Sequence, residues 1–236
     1  MFGHRGLHYF RFAKRHGAQH HPGRAAGQRE QHALLITNAA TELNQHAGLF
    51  EHLGKLGVIA LRVAKRAVAA EIMPNLVEHY RAKGFDFRHV DATSDVDLGD
   101  RFDRIFIGDV IEHVNDPIAL LRFAKRHLKP DGRVLVTTPN PFAPRFRLHR
   151  RQRGTRYVMA NLEHTRWVSI SNMHELAWRA GMDMVKLRWP LLRKPKPGKF
   201  AYNAAMLGRK TLVALAPLED VFVEYAFELA HATAAG

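Results

Sequence analysis

No cysteine occurs anywhere in the 236 residues. Disulfides, thiolate metal sites and cysteine nucleophiles are therefore excluded together. The chain also lacks an unbroken apolar run of the roughly eighteen residues that a membrane-spanning helix needs. Its opening, MFGHRGLHYFRFAKRHG, has no continuous apolar core of the kind that marks a secretory signal. The expectation is a cytoplasmic protein with no transmembrane segment. Acidic residues are scarce as well: 22 Asp and Glu stand against 36 Lys and Arg, for a net charge of +14. A field of that sign concentrates anionic partners, whether nucleic acid, an anionic membrane surface or a negatively charged substrate. An apolar content of 46% supplies enough material for a globular core.

Residues 1–31 are rich in His, Arg, Gly and Gln with little periodicity, and read as a basic N-terminal arm ahead of a domain over residues 32–236. Within that domain, short β-rich runs alternate with helical patterns. The strands are ALLIT (33–37), AVAAEI (67–72), FDFRHV (85–90), DRIFIG (103–108), RVLVTT (133–138), MDMVKLRW (182–189) and DVFVEYAF (220–227). Helices are expected at GLFEHLGKL, NLVEHYRAKG, DPIALLRFAKRHLKPDG, SISNMHELAWRAG and AYNAAMLGRKTLVAL. The third of these has Asn115 or Asp116 as N-cap, Pro117 at the first helical position, and Ile118, Leu121, Ala124 and Leu128 at helical spacing. Strands joined by helical crossovers predict an α/β fold with a doubly wound, mainly parallel seven-stranded sheet, the last two strands pairing antiparallel at the edge.

In such sheets, ligands sit beyond the carboxyl ends of the strands. Glu71, Asp91 and Asp109 fall at the ends of the second, third and fourth strands. One acidic residue at a strand end is commonly just a helix cap. Three in register are better explained as acceptor-only groups for the hydroxyls of a ribose and the amino group of an adenine.

The segment FDRIFIGDVIEHVNDPIALLRFAKRHLKPDGRVLVTTPNP, with EHTRWVSISNMHELAWRAGM after it, resembles the class I S-adenosylmethionine-dependent methyltransferases over residues 33–189. The resemblance implies the Rossmann-like fold and S-adenosylmethionine as cofactor. Carried over by position, Glu71 with Ile72 would hold the ribose, Asp91 with Ala92 the adenine, and Asp109 with Val110 the methionine end. The family's first strand runs into a Gly-x-Gly turn. Asn38, Ala39 and Ala40 stand in its place here, and they are the positions that would approach the methionine portion.

Methyl transfer needs an in-line nucleophile and, for some acceptors, a base for its proton. His113 and His164 are the candidates; either, taken singly, is also a common structural histidine. Asp109, Glu112 and His113 have the i, i+3, i+4 spacing that places ligands on one helical face, but no fourth ligand is visible and no metal is assigned. Arg145, Arg150 and Arg151 belong to an arginine-dense stretch after the fifth strand. Bidentate anion recognition there, or a solvated loop, are the two readings. The acceptor is expected to be a small-molecule or glycan hydroxyl bearing negative charge. Two readings of other classes stand beside it: a catalytically inactive partner subunit with this fold, and a nucleic-acid-binding protein on the same scaffold, with Phe142, Phe146, Tyr157 and Trp167 as stacking residues.

Overall fold

The computed structural model describes residues 32–37, 64, 66–143, 146, 151, 164–188 and 224–233, with isolated positions between 198 and 222. Seven strands are described: β1 (His32–Thr37), β2 (Arg66–Glu71), β3 (Asp86–His89), β4 (Phe102–Gly108), β5 (Leu128–Pro139), β6 (Met182–Arg188) and β7 (Glu224–His231). The described helices are α1 (Pro74–Arg81), α2 (Pro117–His127) and α3 (Ile170–Arg179). The strands form one sheet in the order β3-β2-β1-β4-β5-β7-β6. β1 to β5 are mutually parallel, and β7 runs antiparallel to both β5 and β6. The expected doubly wound sheet with an antiparallel closing pair is present. The order reverses between β1 and β4, so the crevice that this topology opens lies beyond the ends of those two strands.

The central strands are apolar along their length because helices cover them. Leu34, Ile36, Val68, Ile105, Ile107 and Val134 join one core with α2 and α3. Leu35, Ala69 and Phe87 form a second core with Leu76, Val77 and Tyr80 of α1. There the Tyr80 and Phe87 rings stack at 4.6 Å. At the amino edge of the sheet, Asp103 accepts the His32 amide at 2.8 Å and Lys129 Nζ at 2.9 Å, tying the starts of β1, β4 and β5 together.

Each helix start has a local cause. Asp116 caps α2 by accepting the Ala119 amide at 2.9 Å, with Pro117 next in line. Ser169 and Asn172 form a reciprocal capping box on α3. α3 ends where Gly181 turns left-handed, at φ +71°.

Three expectations need correction. Leu128 does not continue α2: it is extended and opens β5, paired with Phe102. Pro130 supplies the reason, since it cannot donate a helical hydrogen bond and drives the residue before it out of the helical region. The last strand begins at Glu224 rather than Asp220, because Glu224 pairs with Pro139, the final residue of β5, and no ladder remains beyond it. Asp91 lies two residues past the end of β3, in a turn where its Oδ1 accepts from the Thr93 amide at 2.8 Å and the Thr93 hydroxyl at 2.7 Å. The expected helices at residues 48–56 and 201–215 fall wholly or largely outside the described residues.

Candidate active site

The carboxyl edge assembles the acidic residues in the order the sheet dictates. Glu71 is the last residue of β2 and is fully buried. Its Oε1 accepts the Met73 amide at 3.0 Å, which orients the carboxylate at the strand end. In register beside it, His89 ends β3, and its Nε2 lies 2.9 Å from the Ile72 carbonyl oxygen. Ile72 is 43% exposed, an apolar surface at a strand end otherwise made of polar groups. Asp91 is exposed and Ala92 half-buried in the turn that follows.

Across β1, β4 delivers Asp109. Its backbone is left-handed at φ +52°, alone among the described non-glycine residues. Such a conformation persists in an L-residue only when its surroundings impose it. Here they do: the Asp109 amide donates to the Thr137 carbonyl at 3.1 Å, and the Thr137 hydroxyl donates back to Asp109 Oδ1 at 3.1 Å. Val110 turns into the main core.

Residues 111–113 then form a turn, not the start of a helix; α2 begins only at Pro117. Asp109, Glu112 and His113 therefore do not share a helical face, and what gathers them is the turn together with a distant segment. The Thr165 amide and hydroxyl both donate to the Glu112 carbonyl, at 2.9 and 3.0 Å. Arg166 donates to the Asn115 carbonyl at 2.7 Å. Those contacts bring His164 onto His113, with ring centroids 4.7 Å apart at 67°.

Glu112 is the buried centre of this group. The Thr138 hydroxyl donates to its Oε2 at 3.1 Å, while Oε1, also buried, has no hydrogen-bond partner. Burial first, and the Asp109 charge second, push its carboxyl up to about 8. One donor atom each from Glu112, His113 and His164 lies within 4.8 Å of the other two.

The structure thus joins His113 to His164 and sets Glu71, Asp91 and Asp109 along one edge. Asn38, Ala39, Ala40, Arg145 and Arg150 lie outside the described residues, and Arg151 is exposed. Thr137, Thr138 and Thr165 went unassigned from sequence. The doubled Thr at the end of β5, where an apolar strand turns polar on both faces, was the available signal.

The donor set fits S-adenosylmethionine: acceptor-only carboxylates at the ends of β2 and β4 flank the switch point, with the exposed Ile72 side chain just past β2 and a third carboxylate, Asp91, beyond β3. Sheet order, reversed final strand and acidic edge together define the class I S-adenosylmethionine-dependent methyltransferase fold. Residues 49–187, more than half of the chain, match the methyltransferase domain model, and the chain belongs to that family. It is 27% identical over 143 residues to a ubiquinone biosynthesis O-methyltransferase of Cereibacter sphaeroides, covering 56% of this chain and 57% of that protein. A protein of the same name from Dinoroseobacter shibae is 44% identical over 55 residues, 23% of this chain and 22% of that one. The chain thus spans little more than half the length of the first of these relatives. Among solved structures, a SAM-dependent methyltransferase from Archaeoglobus fulgidus superposes with a TM-score of 0.52 at 16% identity, over 84% of this chain and 85% of that one. One from Thermotoga maritima gives 0.51 at 19% identity, over 84% and 81%.

Proposed function

We propose that the protein is an S-adenosylmethionine-dependent O-methyltransferase whose acceptor is a hydroxyl on a small aromatic molecule. The observation that carries the reading is the pairing of two half-buried histidines, His113 and His164, with the Asp109 edge where the methionine end of the cofactor belongs. When bound, S-adenosylmethionine supplies an electrophilic methyl group whose bonding pair stays on sulfur as the acceptor oxygen takes the carbon. The protein's own tasks are to hold the two reactants in line and to receive the hydroxyl proton. Glu71 suits the ribose hydroxyls and Asp109 the ammonium group, each as an acceptor. A neutral imidazole has one ring nitrogen free of hydrogen, so either ring offers an acceptor for the proton.

Oxygen as the methylated atom, and an aromatic acceptor, are supported by the names of the relatives, which are O-methyltransferases of ubiquinone biosynthesis. A sugar or anionic acceptor has no comparable support, since the arginines invoked for it are exposed or outside the described residues. The test is transfer of labelled methyl to a panel of hydroxybenzoates, catechols, nucleotide sugars and RNA. Transfer to aromatic hydroxyls is expected. His113→Ala should lower kcat about a hundredfold while S-adenosylhomocysteine still binds within about twofold of the native affinity. Transfer confined to an amine, a sugar or RNA contradicts the acceptor assignment.

A further inference from the structure

We propose that Arg126 and His127, at the end of α2, are positioning residues for the cofactor: they hold the loop that presents Asp91 to the adenine, and the His127 contact makes cofactor affinity fall in acid. This deepens the cofactor reading of the carboxyl edge and rests on it, with Asp91 at the adenine.

From Asp91 to Arg101 the chain forms neither helix nor strand, so its path depends on side chains reaching it from outside. The first anchor stands next to Asp91. The Ser94 amide and hydroxyl donate to the Asp91 carbonyl at 3.0 and 2.7 Å, and Arg126 Nη2 donates to the Ser94 carbonyl at 2.9 Å. The other arm of the same guanidinium lies 3.2 Å from Asp95 Oδ1. The second anchor is Leu98. Its amide donates to His127 Nε2 at 2.8 Å, its carbonyl accepts from Arg88 of β3 at 2.8 Å, and its side chain packs on the main core. His127 is the unusual member of this set: a wholly buried polar side chain on the helix face that Leu120, Phe123 and Ala124 also occupy. An apolar residue would fill that place equally well but would leave the Leu98 amide without its acceptor.

Nδ1 of the ring lies 2.8 Å from the Phe123 carbonyl oxygen, so Nδ1 carries the hydrogen of the neutral form and Nε2 is left to accept. The charged groups that bear on the ring are Asp97, 3.3 Å from Nε2, together with Arg101 from the loop and Arg126 from the helix itself. Burial, joined by the two arginines, lowers the pKa of His127 against the opposing pull of the Phe123 carbonyl and Asp97. A proton on Nε2 is incompatible with the Leu98 amide hydrogen bond. The ring then becomes a donor with Asp97 Oδ1 beside it, and the second anchor of the loop is lost. A ligand that needs the anchored loop binds best to the neutral ring, so its affinity is complete above about pH 6.5 and falls as the pH drops below that value.

The experiment is calorimetric titration, at pH 7.5 and 5.5, of S-adenosylhomocysteine and of S-inosylhomocysteine, in which a carbonyl replaces the adenine amino group. Both are titrated into the full-length native chain, His127→Gln and Arg126→Ala. Glutamine keeps a neutral acceptor for the Leu98 amide and does not titrate, and any titration at the methionine end is common to all three proteins. Between the two pH values the native chain should lose at least about threefold more affinity for S-adenosylhomocysteine than His127→Gln does. Arg126→Ala should bind S-adenosylhomocysteine about fivefold or more weakly at pH 7.5 while S-inosylhomocysteine changes by less than about twofold, because only the amino group depends on Asp91 being in place. Equal pH dependence in the native chain and His127→Gln overturns the proton link, and equal loss of both ligands, or no loss, in Arg126→Ala overturns the positioning. The native chain supplies a reading that needs no variant: its preference for S-adenosylhomocysteine over S-inosylhomocysteine should shrink about threefold at pH 5.5, and an unchanged preference overturns the proposal however the variants fold. Absence of binding to the folded native chain overturns the cofactor reading and this proposal with it, an outcome distinct from binding that ignores pH.

Discussion

His127 is wholly buried at the end of α2, with Nδ1 donating to the Phe123 carbonyl at 2.8 Å and Nε2 accepting the Leu98 amide at 2.8 Å. Acceptance at Nε2 requires the neutral ring. Asp97 lies 3.3 Å from Nε2 and favours the cation, but burial outweighs it and lowers the pKa. A base whose folded pKa lies below the unfolded value of about 6.5 contributes stability that is complete above that pH and is lost as the pH falls below it. Urea unfolding at pH 7.5 and 5.5 should therefore show a drop that is smaller in His127→Gln than in the native protein; an unchanged drop would mean the ring is not buried neutral. Asp109 offers a second test at this scale. Replacing it with Gly removes left-handed strain as well as the Thr137 hydrogen bond, so the two effects on stability nearly offset. Asp109→Gly should melt within a few degrees of the native protein while binding S-adenosylhomocysteine at least tenfold more weakly. Equal affinity would remove Asp109 from the cofactor site. The sequence showed these carboxylates because acidic residues at strand ends are readable from periodicity. It hid the contact between His113 and His164, which depends on Thr165 anchoring a segment far along the chain.

Among the elements, α2 and α3 were legible because their caps are local: Asp116 accepts from Ala119 with Pro117 next in line, and Ser169 pairs with Asn172, each within one turn. The strand ends were less so, since a strand stops where its partner stops, as β7 does opposite Pro139. The helical face inferred for Asp109, Glu112 and His113 failed for a related reason, because spacing alone does not say that a turn intervenes before Pro117. α3 carries the segment that presents His164, and its two ends predict measurable effects. Ser169→Ala removes a capping box and should cost about 1 kcal/mol in chemical denaturation. Gly181→Ala forces a side chain into the left-handed region at φ +71° and should cost about 1 kcal/mol or more, because its added carbon would also displace the end of Lys125. Little change in either variant would contradict a helix bounded by Ser169 and Gly181.

For the whole molecule, the sheet order turns separate sequence signals into one site: strands β3, β2, β1 and β4 lie side by side, so acids distant in sequence share an edge. Alternation of strands and helices made the mainly parallel sheet readable but not its strand order, and the reach of the net charge of +14 was not readable either, because charge says nothing about which anion it meets. None of the helices among the described residues is long and apolar enough to cross a membrane. If nucleic acid were the partner, affinity would fall steeply with added salt, with a slope set by the number of phosphates contacted. The central claim, that the acidic edge holds S-adenosylmethionine, is tested most directly by calorimetric titration of S-adenosylhomocysteine into the native chain and into Glu71→Ala. One site per chain is predicted, weakened at least tenfold by Glu71→Ala, equivalent to about 1.4 kcal/mol or more. No binding to the folded native protein, or equal affinity in the two, would contradict it.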